Sequence, residues 1–281
     1  MKSNQYKILK STRGIFIHIF LLITAIFCLF PLFWMVRSSF MSLGAIFTDK
    51  SFIPTQIHLD NYVRAWVDGN FAGYLLNSII YTVVVVFGII VVSSLAAYAF
   101  SRFKFPGKTV FFYMFLAAMM IPLPGGFVPL YVLMTKLGLI DTRIGYILCM
   151  INVGLSMSIF ILKTFFDKLP TDLEDIARID GCGRLQILWY VALPLAKPAI
   201  AVIIIFNSLN VWNEFILAQL LLNESHLMPL QVGLMKFQGA NIVDYPVLMA
   251  GLTIAVVPII LIYLAMQKHI VKGLTLGATV G

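Results

Sequence analysis

Six apolar runs, each longer than 20 residues and almost free of charge, decide what this chain can fold into: about 14–36, 75–100, 109–135, 144–166, 198–222 and 246–267. A helix needs about 20 apolar residues to cross a hydrocarbon core, whereas a barrel strand needs only about 9–11. Runs of this length predict α-helical spans and exclude a β-barrel. The first run, Gly14–Val36, is too long for a signal-peptide core, and no small-residue cleavage site follows it, so it reads as a retained first span. Composition agrees: 60% of the 281 residues are apolar and 11% charged, against about 45–50% and about 25% in soluble domains. The predicted fold class is an all-α integral membrane protein with six transmembrane helices.

The net charge of +8 suits nucleic acid in principle, but the 20 Lys and Arg are dispersed between the apolar runs. Their placement sets topology, because Lys and Arg favour the cytoplasmic side. Fourteen of them lie in the N-terminus, the loop after the second run, the loop after the fourth with its flanks, and the C-terminus; six lie in the other three connections. That bias predicts both termini in the cytoplasm, the 37–74 segment outside, and no nucleic-acid partner.

The spans are not uniform. Pro122, Pro124, Gly125, Gly126 and Pro129 crowd the middle of the third run, and Pro258 lies in the sixth. Proline removes a helical hydrogen bond, and broken helices near the bilayer midplane mark transport paths.

The connection between the fourth and fifth runs, residues 169–200, is too polar to span yet carries helix signals. Thr171 and Glu174 have capping-box spacing, and Asp172 adds negative charge to the first turn. Leu173, Ile176, Ala177 and Asp180 recur at i, i+3, i+4 and i+7, a mostly apolar stripe. Gly181 suits a left-handed cap, and a second short helix is expected at about 184–192, ended by Pro194. Helices lying on lipid are usually basic on the polar face. This one holds four acidic side chains and one Arg over 172–180, which favours docking into a groove of another protein.

These residues resemble the EAA loop of binding-protein-dependent ABC importer permeases, in which E-A-A is followed after three residues by Gly and after nine more by I-x-L-P. Asp175-Ile176-Ala177 stands at E-A-A, Gly181 at the glycine and Val191-Ala192-Leu193-Pro194 at I-x-L-P. AYAFSRFKFPGK at 97–108, PLYVLMTKLGLIDT at 129–142, LLNS at 75–78, VWNEF at 211–215 and the tail GLTLGATVG at 273–281 are similar to the carbohydrate-uptake class of that family. The resemblance implies a non-catalytic subunit of the bacterial cytoplasmic (inner) membrane. It also implies a second permease subunit, two copies of a cytoplasmic ATPase that bind ATP and Mg, and an extracytoplasmic solute-binding protein that delivers a sugar or oligosaccharide. No cofactor is expected in this chain. By the same resemblance, residues 1–74 hold the N-terminus, first span and external segment; 75–267 form the core permease domain with its loop at about 169–198; and 268–281 are a cytoplasmic tail.

The coupling role falls on Leu173, Glu174, Asp175, Ile176, Ala177, Arg178, Asp180 and Gly181. Leu173, Ile176 and Ala177 would bury in the ATPase, Glu174 would cap the helix, Asp175 and Arg178 would pair at the rim, and Gly181 would permit the turn. In the fifth run, Asn207, Asn210 and Glu214 fall at i, i+3 and i+7, with Trp212 and Asn213 beside them. Polar groups in lipid face the bundle interior, so this stripe is expected either to border the solute path, with Trp212 stacking on a sugar, or to hold helices together.

Other signals carry less. Gly107-Lys108-Thr109 lacks the first glycine and preceding strand of a phosphate loop. His18, His58, His226 and His269 have no metal-ligand spacing, and Cys28, Cys149 and Cys182 no paired spacing. The alternatives are an ion-coupled secondary transporter, which would need more intramembrane ionisable groups than Glu214, or an importer of the same class for a polyol or glycerol phosphate compound.

Overall fold

A computed structural model describes residues 2–120, 123–235 and 243–278. In chain order its helices are α1 (Lys2–Ser39), α2 (Ala45–Thr48), α3 (Asp60–Val67), α4 (Phe71–Arg102), α5 (Lys108–Ala118), α6 (Phe127–Lys136), α7 (Arg143–Asp167), α8 (Asp172–Ile179), α9 (Arg184–Ile187), α10 (Leu193–Leu195), α11 (Lys197–Asn213), α12 (Ile216–Leu221), α13 (Leu230–Met235) and α14 (Tyr245–Ala278). No β-strand occurs among the described residues.

Among the described residues, four helical stretches are long and apolar enough to cross a membrane: Gly14–Ser39, Phe71–Arg102, Arg143–Asp167 and Tyr245–Leu264. A bent pair, Arg184–Leu195 with Lys197–Asn213 at 79°, makes a fifth if counted as one. The third apolar run forms two shorter helices, α5 and α6, with a 3-10 turn at Leu123–Gly126 before α6. Pro122 lies outside the described residues. Pro258, by contrast, is accommodated inside a continuous α14.

The chain divides into two compact units, one of residues 1–69 and 236–254, the other of 70–235 and 255–281. In the first, the apolar stretch of α1 has none of its most hydrophobic window buried. Its far end is tied down by polar contacts. Buried Arg37 donates to the carbonyls of Ser51 (2.7 Å) and Asp49 (2.9 Å) and lies over the Trp34 ring. The Asn61 amide donates to the Ser39 and Met41 carbonyls at 2.9 Å each. The Ser51 hydroxyl and N–H hold the Asp49 carboxyl down at about 2.

The second unit is built on α4, α7 and α11. Along α4 the buried positions include Tyr74, Asn77, Ser78, Tyr81, Val85, Ile89, Ser93, Ala97 and Tyr98, spaced at three and four residues. Leu76, Val83 and Phe87 point outward. Lipid tails solvate Leu as well as a protein core does, so the polar residues Asn77, Ser78 and Ser93 face the neighbouring helices, while aliphatic residues occur on both faces. The helices approach closely. A Cβ on Gly154 of α7 would come within 2.4 Å of Ile89 Cδ1 and 2.3 Å of Asn207 Oδ1. The Tyr81 and Tyr146 rings meet edge-on at 4.8 Å.

The segment after α12 is fastened to the start of α4. Asn77 donates to the carbonyls of His226 (2.8 Å) and Met228 (3.0 Å), Tyr81 Oη donates to that of Leu227 (2.7 Å), and the Leu230 N–H donates to Ser78 Oγ (2.8 Å).

Candidate functional site

Two places in the second unit gather the residues singled out by the sequence. The first is the loop after α7. Thr171 has helical backbone angles and its side chain caps nothing; its carbonyl instead accepts from the N–H groups of Glu174 (2.9 Å) and Asp175 (3.0 Å). The expected capping box is therefore absent. Glu174 turns inward, 4% exposed, and binds the end of α4: Arg102 Nε donates to Oε1 (2.5 Å) and Tyr98 Oη to Oε2 (3.1 Å). A charged donor at that depth outcompetes the weaker exposed cap.

The stripe of α8 splits accordingly. Ala177 joins Glu174 on the buried side, while Leu173, Ile176 and Ile179 face outward, 39%, 58% and 86% exposed. Asp175 and Arg178, both exposed, pair with each other at 2.8 Å. Asp180 is the exposed last residue before the turn. Gly181 has φ +83°, its N–H donates to the Arg178 carbonyl (3.0 Å), and the Cys182 N–H donates to that of Ala177 (2.9 Å). These two bonds are the Schellman pattern that the glycine predicts. The second loop helix does not end at Pro194. It passes from α9 through a π-turn at Leu188–Ala192 into α10, and the chain bends only after Leu195.

The second place is the break between α11 and α12. Glu214 leaves the helix with ψ 129°, and its carboxylate accepts from the N–H groups of Leu217 (2.7 Å) and Ala218 (2.9 Å). Those N–H groups open α12 and have no helical carbonyl to bind. The Tyr146 hydroxyl adds a longer contact at 3.5 Å.

The polar stripe divides here too. Asn207 is buried and donates to Ser158 Oγ on α7 (3.1 Å) and to the Ile203 carbonyl (2.9 Å). Trp212 is 2% exposed and its Nε1 donates to the Ala255 carbonyl (3.3 Å). Both serve packing, so the Trp212 ring has no free face for stacking. Asn210, Asn213 and Glu214 instead line an open depression of about 520 Å³ together with Phe127, Val153 and Ile216. Asn213 donates back to the Leu209 carbonyl (2.8 Å), whereas the Asn210 amide makes no hydrogen bond within the described residues. Among the described residues no group of His, Cys, Asp and Glu is arranged to hold a metal.

Residues 89–276, which contain both places, match the family described as binding-protein-dependent transport system inner membrane component. The chain belongs to this family. The permease is 33% identical to the diacetylchitobiose uptake system permease protein of Streptomyces coelicolor, over 92% of this chain and 87% of that one. It is 34% identical to the trehalose/maltose transport system permease protein of Thermococcus litoralis, over 92% and 94%. Its fold matches a solved bacterial ABC transporter involved in the import of the acidic polysaccharide alginate, with a TM-score of 0.79, 31% identity and coverage of 91% and 95%. The permease is thus a non-catalytic membrane component of an ABC transporter.

Two residues of the permease were not singled out by spacing. Arg102 and Tyr98 belong to the AYAFSRFKFPGK stretch, and their partner Glu174 lies more than seventy residues on. The available signal was their i, i+4 separation on one face at the end of an apolar helix. Ile179 lies off the stripe that passes through Ala177, and the burial of Ala177 leaves it on the outward face.

Proposed function

We propose that the permease forms, with a second permease subunit, the path for a sugar or oligosaccharide delivered by an extracytoplasmic solute-binding protein. Two copies of a cytoplasmic ATPase, binding ATP and Mg, drive it through α8. The observation that carries the coupling role is the outward face of α8. Leu173, Ile176 and Ile179 stand exposed on a helix whose other side is fixed to the chain by a buried ion pair. Exposed apolar residues on an otherwise acidic short helix suit a protein groove. The acidic first turn, Asp172 and Asp175, favours a groove with a basic rim.

In this reading the permease crosses the membrane six times, the third crossing made of α5 and α6 and the fifth of α11 with α12. The bias of Lys and Arg supports cytoplasmic termini and a cytoplasmic α8. Residues 75–267 act as the core permease domain, with 1–74 and 268–281 as flanking segments. The depression at the α11–α12 break borders the path, with Asn210, whose amide has no hydrogen bond among the described residues, offered to the solute. Saccharide cargo is supported by the relatives, whose names speak of diacetylchitobiose and of trehalose or maltose.

Purification of the tagged complex from its native membrane tests this. The ATPase is expected to accompany the parental chain, and Ile179→Asp, at a position too exposed to disturb the fold, is expected to lower its recovery about tenfold or more, as for an apolar hot spot. Unchanged recovery, or import by the chain alone in liposomes without ATPase, would overturn the reading.

A further inference from the structure

A push on α8 reaches the spans through what α8 touches: it packs on α9 and on the π-helical turn beyond it, and its side-chain hydrogen bonds to the spans run to one short segment. Residues 98–103, at the end of α4, meet α7, α8 and α9 in turn. Ser101 Oγ donates to Asp167 Oδ1 at the end of α7 (2.7 Å), and Arg102 Nη2 donates to the Leu169 carbonyl just beyond it (3.0 Å). Arg102 Nε and Tyr98 Oη take the two oxygens of Glu174 on α8. The Arg184 guanidinium of α9 lies over the Phe103 ring at 4.7 Å.

The centre of this cluster is nearly dry, with the Arg102 and Glu174 side chains 11% and 5% exposed. Arg178 reaches Glu174 Oε2 from the solvent side at 3.8 Å. Among the described residues, every side-chain hydrogen bond from α8 to a span runs through Glu174. Charge-assisted bonds to both carboxylate oxygens fix orientation as well as distance, and the low-dielectric setting strengthens them relative to an exposed pair.

We propose that Arg102 is a positioning residue for transport: the buried Arg102–Glu174 pair, with the Tyr98 hydroxyl, is the joint through which displacement of α8 moves α4. The proposal rests on the reading of α8 as the coupling helix. A loosened joint leaves α8 docked on the ATPase while its movement is lost before α4. Hydrolysis then continues without import.

The complete complex, reconstituted in liposomes with its solute-binding protein, allows ATP hydrolysis and solute uptake to be measured in the same vesicles. Arg102→Ala and Glu174→Gln are expected to lower solute imported per ATP about tenfold or more while hydrolysis stays within about threefold of the parent, because the joint loses its charge pairing but the docking face is intact. Arg102→Lys keeps the charge and loses the Leu169 bond, so the ratio should return to within about threefold. Tyr98→Phe removes one bond to Glu174, and a fall of about two- to fivefold is expected. Lys163→Gln breaks a neighbouring ion pair, with Asp167, that does not touch α8; its ratio should not change.

Uptake and hydrolysis falling in parallel across the series, or an unchanged ratio, would show the pair to be structural only and overturn the proposal. If Arg102→Ala does not assemble, the ratios of Arg102→Lys and Tyr98→Phe decide. A parental complex that imports without any ATPase would instead overturn the coupling role of α8 itself.

Discussion

Glu174 and Glu214 stand at two helix ends in the same unit, and they are held in opposite ways. Glu174 lies in the first turn of α8 and is bound by a guanidinium and a phenol from another helix. Glu214 lies in a break between two helices and is bound chiefly by backbone N–H groups three and four residues ahead of it, with no ion pair among the described residues. The first carboxylate ties separate elements together, and its loss frees one from the other. The second satisfies donors that the helix break would otherwise leave bare, so its effect is local shape. A glutamate in a span is therefore not by itself a solute ligand. At this break the polar group without a hydrogen bond among the described residues is the neighbouring Asn210.

The comparison is broken most directly at Glu174. Arg102→Ala leaves a buried carboxylate without its cation and should cost about 3–5 kcal/mol of stability. Adding Glu174→Leu removes the orphaned charge, and denaturant unfolding of the purified permease should show most of the loss restored. A double variant no more stable than Arg102→Ala alone would mean that the guanidinium contributes through Leu169 and packing instead.

At Glu214 the expected order of effects differs, because the partners are neutral. Glu214→Ala orphans the Leu217 and Ala218 N–H groups, at about 1–3 kcal/mol for each that finds no water. Glu214→Gln keeps one acceptor oxygen and should cost about half as much. The midpoint of thermal unfolding in detergent separates the two variants. Equal losses would show that charge, not acceptor capacity, is what the break requires, and the contrast with Glu174 would collapse.

How much of this was legible in the sequence depended on which physical signal each element leaves. Length alone located α1, α4, α7 and α14, since few structures other than a span accommodate such runs. The loop was legible because Gly181, the acidic first turn and the Leu-Ile spacing are local signals, and the turn geometry followed the glycine. The inner and outer faces were not legible. On α4 both faces are apolar, so no hydrophobic period separates Tyr81 from Val83. On α8 the choice between capping and pairing for Glu174 was made by Arg102, which is distant in sequence. Asn207 and Asn210, three residues apart, read as one stripe. Their different fates were decided by Ser158 and by the break at Glu214, neither of which periodicity registers.

Gly181 sharpens the contrast from the loop side. Its φ of +83° excludes a comfortable Cβ, and no atom lies within 4 Å of where one would stand. Gly181→Ala should therefore cost about 1–2 kcal/mol from backbone strain alone, and Gly181→Asn less. Since the turn aims α9 and not α8, the Arg102–Glu174 joint should survive. ATPase recovery with the tagged complex should fall less for Gly181→Ala than for Ile179→Asp. The reverse order would place the docking surface beyond the turn.

The smallest effect belongs to a third carboxylate, Asp141, which repeats the Glu214 arrangement in the connection between α6 and α7. Asp141 sits in a left-handed conformation, φ +55°, between α6 and α7. It accepts from the Asn223 N–H, from Asn223 Nδ2 (3.0 Å) and from the Glu224 N–H (3.1 Å). The Asn223 side-chain bond, with the two backbone N–H groups, lowers its pKa below the usual carboxylate value. The folded state thus holds the ionised form more tightly than the unfolded chain does. The resulting stabilisation is complete above the unfolded pKa, about 3.9, and disappears as pH falls through the lower folded value. Asp141→Asn should flatten that part of the stability–pH profile, with a small loss of stability at neutral pH and none in strong acid, small because the site is solvent-screened. Thermal unfolding across pH 3 to 7, values spanning that transition, reads the difference. An unchanged acid slope would mean that Asn223 is positioned by its own backbone and not by Asp141.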